Sequence, residues 1–163
     1  MSNVYIGIDP GKSGAIALIN EDRDVIESFP KMPWENGRLD AVTLYDFLKQ
    51  CDKACDRCIV VCEKVHSMPR DSSKSAFTFG GAFHAALACI DLFDFPLLLP
   101  SPQTWKKVML KDRGREKQDS VAAARDMFPA LRPKLKAKSS HNLAEAALIA
   151  AYGIHSWNNE DGH

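Results

Sequence analysis

The sequence predicts an α/β fold: a mixed five-stranded sheet with helices on both faces. Three observations lead there. The first thirty residues hold three short apolar or alternating runs separated by turn residues, the pattern of an antiparallel meander. After them, stretches of helical period alternate with short apolar runs, giving the order βββ-α-β-α-β-α with two further helices at the end. A length of 163 residues, 45% of them hydrophobic and 26% charged, suits one globular domain with a real core. That domain is expected over residues 1–157, with a flexible polar tail at 158–163.

Each element has its own signal. "NVYIGID" (3–9) is an apolar strand, "PGKSG" a turn, "AIALIN" a second strand and "DRDVIESFP" a third. "LDAVTLYDFLKQC" places Leu39, Val42, Leu44, Phe47 and Leu48 near helical spacing. "CIVVCEKV" (58–65) is short and β-branched, the mark of a strand buried on both faces. The run "SSKSAFTFGGAFHAALACIDLF" opens on serine N-caps, and Gly80–Gly81 are expected to permit close helix packing. "FPLLLPSP" (95–102) is a strand between prolines, "PQTWKKVML" a short helix, and "EKQDSVAAARDMFP" a helix ended by Pro129. "ALRPKLKAKSS" reads as a basic linker into "HNLAEAALIAAYG" (141–153), a helix apolar on almost every side with Gly153 as its expected C-cap.

Bulk properties exclude some classes. No window approaches the roughly 18 apolar residues of a membrane span, and the N-terminus enters a strand with no basic flank, so no membrane association and a cytoplasmic location are expected. Net charge is zero, but residues 104–138 hold eleven Lys and Arg against four acids, a local +7. Such a surface fits a polyanion partner, or simply a solvated face. The spacing of Cys51, Cys55, Cys58 and Cys62 invites a zinc reading. The segment reads instead as a helix end followed by a strand, with Cys62 expected to face away from the helical thiols. Neither zinc nor a disulfide is therefore expected.

Three acids stand in apolar surroundings. Asp9 ends the first strand, Glu63 ends "CIVVC", and Glu145 interrupts the Ala/Leu/Ile helix. A buried unpaired carboxylate is costly, so each needs a solvated stripe, a lysine partner or a metal ion. Adjacent strands bring Asp9 and Glu63 side by side, and a helix across that edge delivers Glu145. Hard divalent cations relieve the repulsion among three carboxylates. Two Mg²⁺ or Mn²⁺ ions held this way suit phosphodiester hydrolysis, one activating water and the other stabilising the leaving 3′ oxygen.

"YIGIDPGKSGAIALI", "VVCEKVHSMP", "SAFTFGG", "PSPQTWKKVM" and "HNLAEAALIAAYG" occur in an order that resembles RuvC-type Holliday junction resolvases, in particular the compact phage-like branch of the RNase H-like superfamily. The resemblance spans roughly residues 3–155. It implies an RNase H-like nuclease domain, a Mg²⁺-dependent site with Mn²⁺ as substitute, a homodimer and a branched-DNA substrate. It maps the catalytic, metal-holding acids onto Asp9, Glu63 and Glu145. The family's fourth acid lies three or four residues before the last, where this chain has Asn142 and His141. Asn142 reads there as a natural variation, a neutral oxygen ligand or a substitution that traps a substrate complex; His141 reads as a ligand, a general acid/base or an exposed helix-start residue.

The resemblance also implies DNA contacts. Lys12 and Ser13 approach a phosphate from the first turn. In the loop after Glu63, Met68 and Pro69 serve as apolar wedges and Arg70 and Lys74 as phosphate contacts, unless the loop is a plain turn. Trp105, Lys106 and Lys107 form a stacking and phosphate platform, with a core tryptophan as the alternative. Lys111, Arg113, Arg115 and Lys117, then Lys134, Lys136 and Lys138, track DNA backbones. Phe77, Phe79 and Phe83 pack the core or a dimer interface. Three rivals remain: a junction-binding protein weakened by Asn142, an RNase H-like nuclease on another substrate, and an actin-fold phosphate-binding fragment, which the length disfavours.

Overall fold

The computed structural model describes residues 3–64, 72–136 and 140–160. In chain order the elements are β1 (Asn3–Ile8), β2 (Ile16–Asn20), β3 (Val25–Phe29), β4 (Trp34–Glu35), β5 (Arg38–Leu39), α1 (Ala41–Ala54), β6 (Arg57–Cys62), α2 (Ser73–Ile90), β7 (Leu97–Leu98), α3 (Pro102–Met109), α4 (Lys117–Met127), a 3-10 turn (Pro129–Lys134) and α5 (His141–Glu160).

Five strands form one sheet in the order β3-β2-β1-β6-β7. β1–β2 and β2–β3 are antiparallel, while β6 runs parallel to β1 and β7 parallel to β6. This is the mixed α/β sheet that the pattern of runs implies. Side chains alternate across it. Val4, Ile6, Ile8, Val60 and Cys62 enter one core with α1 and α2. Tyr5, Ile59 and Val61 enter the other with α3, α4 and α5. Helices therefore cover both faces. No helix among the described residues is long and apolar enough to cross a membrane.

Short polar side chains start the helices. The Asp40 carboxylate accepts from the Val42 and Thr43 N–H groups at α1. Ser72 accepts from the Ser75 N–H at α2, and Ser101 from the Thr104 N–H at α3, where Pro102 needs no donor partner.

α5 lies against β1 at unusually short range. A Cβ on Gly7 would come 2.0 Å from the Ala146 carbonyl oxygen and 2.6 Å from the Ala150 nitrogen. Only a residue without a side chain lets the helix backbone settle onto the strand there. Gly153 acts similarly: it is no C-cap, because α5 continues to Glu160, and a Cβ there would stand 2.5 Å from a Val61 methyl. Residues 158–160, expected in a polar tail, are thus helical.

Other expectations are also revised. The first part of the stretch expected as a basic linker, as far as Lys134, winds into the 3-10 turn, and Leu131 and Leu135 bury their side chains in the α5-side core. Nothing approaches within 4 Å of a Cβ at Gly80 or Gly81, so neither serves close packing. The strand between prolines shrinks to two residues. Cys62 shares its core with Cys51 and Cys58 rather than facing away, since positions 58 and 62 have the same strand parity. All five cysteines are free thiols.

Candidate active site

β1 and β6 are parallel neighbours with Ile8 opposite Cys62, so Asp9 and Glu63 leave the sheet at the same level. The Glu63 N–H donates to the Ile8 carbonyl at 3.0 Å and keeps the two exits together. Behind Asp9 the chain reverses tightly. The Asp9 N–H reaches the Ala15 carbonyl at 3.0 Å, the Gly14 N–H reaches the Gly11 carbonyl at 2.7 Å, and the Asp9 carboxylate accepts from the Gly11 N–H at 3.3 Å. A Cβ on Gly14 would fall 1.9 Å from the Asp9 carbonyl oxygen, so the turn closes only around glycine.

The close seat of α5 on Gly7 sets Glu145, the residue before Ala146, over this edge. Its Oε1 is 2.9 Å from the Lys106 ammonium and accepts from the buried Ser120 hydroxyl at 3.2 Å. Glu63 Oε2 accepts from the Trp105 indole N–H at 2.6 Å. Consecutive residues of α3 therefore hold two different acids, because α3 packs with α5 on the same face.

The electrostatics show that the acids share one environment. Burial pushes the Asp9 carboxyl up to about 6; the Gly11 N–H opposes this, the Glu145 charge adds to it, and His141 and Lys106 lower it. Burial pushes Glu63 up to about 7, opposed by the Trp105 hydrogen bond and by Lys106 and reinforced by Asp9 and Glu145. The Cys62 thiol alongside is pushed up by burial and by both carboxylates. Negative charge gathered here is only partly compensated.

Such a set of oxygen donors, with the Asn142 amide on the preceding turn, suits a hard divalent cation in chemistry and in charge. Among the described residues, however, no group of three or more His, Cys, Asp or Glu is already gathered as a ligand set. Lys106 and Trp105 hold two of the acids instead.

The positions expected to meet DNA separate into groups. Lys12, Ser13 and Lys134 line a groove that also contains Asn142. Lys107, Lys111 and Arg115 line another with Arg23 and His155, which is ten positions along α5 from Glu145. Arg113 pairs with Asp126. Lys74, Lys117 and Lys136 are exposed. Met68, Pro69, Arg70 and Lys138 lie outside the described residues. Trp105 is fully buried and offers no face for stacking; its place in the platform is overturned, and it is the core tryptophan instead. Phe83 is buried, whereas Phe77 is 84% and Phe79 44% exposed. Sequence reasoning missed Ser120, whose only signal is a hydroxyl on the small-residue face "SVAAA", and missed the Trp105–Glu63 bond, which has none.

No protein-family model and no curated protein matches this chain. Solved structures do. RuvC of T. thermophilus in complex with a Holliday junction substrate superposes with a TM-score of 0.66 at 18% identity, over 98% of this chain and 96% of that one. A second Thermus thermophilus RuvC structure gives 0.62 at 16% identity, over the same shares of the two chains. The chain thus has the RuvC fold, and the RNase H-like architecture expected from its motifs is the one it adopts.

Proposed function

We propose that this chain is a metal-dependent, structure-selective endonuclease that cuts Holliday junctions or other branched DNA, acting as a homodimer in the cytoplasm. One observation carries the reading: Asp9, Glu63 and Glu145, far apart in sequence, share one electrostatic environment at a sheet edge of a RuvC fold. Mg²⁺ or Mn²⁺, two ions per site held by the three acids and the Asn142 oxygen, would supply Lewis-acid stabilisation of charge on the phosphodiester oxygens. The chain's own groups prepare the place. Trp105 fixes the Glu63 carboxylate, Ser120 and Lys106 orient Glu145, and His141 stabilises the ionised form of Asp9. The exposed Phe77 on α2 supports a self-association surface, and two symmetric cuts require two sites.

A second reading, a junction-binding protein with weakened catalysis, is favoured by Asn142 and by the grip of Lys106 on Glu145. One experiment separates the two: cleavage and binding of a four-way junction in Mg²⁺ and in Mn²⁺, at several salt concentrations. The nuclease reading expects Mn²⁺ to outperform Mg²⁺, and Asn142→Asp to cut faster. It expects Glu145→Gln to lose about 100-fold or more of the rate while binding stays, because an essential charge is removed. Binding should weaken as salt rises, since bound Lys and Arg release counterions. Tight junction binding with no cutting by the parent or by Asn142→Asp selects the second reading. Equal affinity for junction and plain duplex rejects both.

A further inference from the structure

Beside the acids lies a groove of about 540 Å³ whose lining is basic and aromatic. Lys12 and Ser13 come from the turn behind Asp9, Lys31 and Trp34 from the segment after β3, Lys134 from the 3-10 turn, and Asn142 from the first turn of α5. No acidic side chain lines it. Its volume lies within the range of about 300–1,000 Å³ usual for small-ligand sites. Trp34 is held in place: it pairs with Leu39 in the β4–β5 hairpin, whose turn uses Asn36 at φ 49° and Gly37 at φ 77°. The Met32 N–H bonds to the Gly14 carbonyl at 2.8 Å and ties this segment to the Asp9 turn. Lys134 is anchored at 2.9 Å to the Ser28 hydroxyl.

We propose that this groove holds one unpaired nucleotide of the strand being cut, its base against Trp34 and its flanking phosphates on Lys12, Lys31 and Lys134. The inference rests on the branched-DNA reading above and names a subsite for it. Charge selects a polyanion, because three lysines converge with no acid among them. The half-buried tryptophan selects an unpaired base, because a base inside a duplex already has both faces stacked. Asn142, which lines the groove, precedes Glu145 by one helical turn on α5 and so brings the nucleotide towards that acid. Trp34 and Lys31 thus act as positioning residues for the scissile phosphate.

The test measures junction binding and cleavage by the parent, Trp34→Phe and Trp34→Ala. Each protein meets an intact junction and junctions with a single abasic site at successive positions beside the cut. At one position the abasic site should weaken parent binding roughly 5- to 140-fold, the range of one lost stack. Trp34→Ala should show the same loss on the intact junction and no further loss with the abasic site. Trp34→Phe should stay near the parent, which excludes misfolding as the cause. Lys31→Ala should lower the salt dependence without removing the abasic effect. If the parent binds and cuts junctions but Trp34→Ala responds to the abasic series as the parent does, the groove assignment is overturned and the nuclease reading stands. If the parent fails to bind junctions at all, the nuclease reading falls and takes the subsite with it.

Discussion

Asp9 and Glu63 hold their protons more tightly in the fold than in the unfolded chain, at about 6 and about 7 against ordinary values of 3.8 and 4.5. The folded state therefore binds more protons between those values, and its stability falls as pH rises. The contribution is fully present below about pH 4 and is lost as pH passes through about 6 for Asp9 and 7 for Glu63. Without metal, Asp9→Asn should stabilise the protein at pH 8 by about 1–3 kcal/mol, with the gain shrinking towards zero near pH 4. Denaturant unfolding at both pH values measures it, and a gain independent of pH would show that Asp9 is not an uncompensated charge. The acids themselves were legible in the sequence because each interrupts an apolar run. Their partners were not: Trp105 reaches Glu63 across 42 positions and Ser120 reaches Glu145 across 25, and no local pattern encodes such a bond. Glu145 is paired to a lysine, as one reading of its context expected, and its charge also bears on Asp9.

At the scale of elements, glycine decides where α5 rests. Gly7→Ala should cost about 3 kcal/mol or more, because the clash is with helix backbone that cannot rotate away, and Gly153→Ala about 1–3 kcal/mol against side chains that give a little. Gly80→Ala, with open space around it, should be neutral or stabilising by up to about 1 kcal/mol. Urea midpoints of the three variants provide the comparison, and a Gly7→Ala protein as stable as Gly80→Ala would mean that α5 is not seated as described. Strands and long helices were legible from period, or from composition where every side is apolar. The misreadings have physical causes. Gly153 has the composition of a cap but the surroundings of a contact, so only the sheet beneath it reveals its role. The two-residue strands β4 and β5 are too short to show alternation, although Asn36–Gly37 carries the turn signal between them. Trp34 and Lys31 therefore went unnoticed.

Across the whole molecule, the zero net charge hides a division that the +7 segment alone does not describe. One basic groove includes Asn142, a helical turn before Glu145, while Lys107, Lys111 and Arg115 gather with Arg23 and His155 elsewhere. The sequence could place charge along the chain but not around it, because helix packing decides which lysines face the same way. α5 ties these parts together: it floors one face of the sheet and carries Glu145 and Asn142. A chain stopped after residue 136 should therefore keep Asp9 and Glu63 yet expose the apolar face of Tyr5, Ile59 and Val61. Limited proteolysis should degrade it far faster than the parent, and comparable resistance would mean that the sheet stands without α5. Translation adds a direction to this dependence. A ribosome releases β1, β6 and the two carboxylates that follow them well before it makes Glu145, so nascent chains pass through synthesis with only part of the acid cluster. The third acid then arrives with the late docking of α5, and prematurely terminated products are left with a bare apolar sheet face that is conspicuous to proteases.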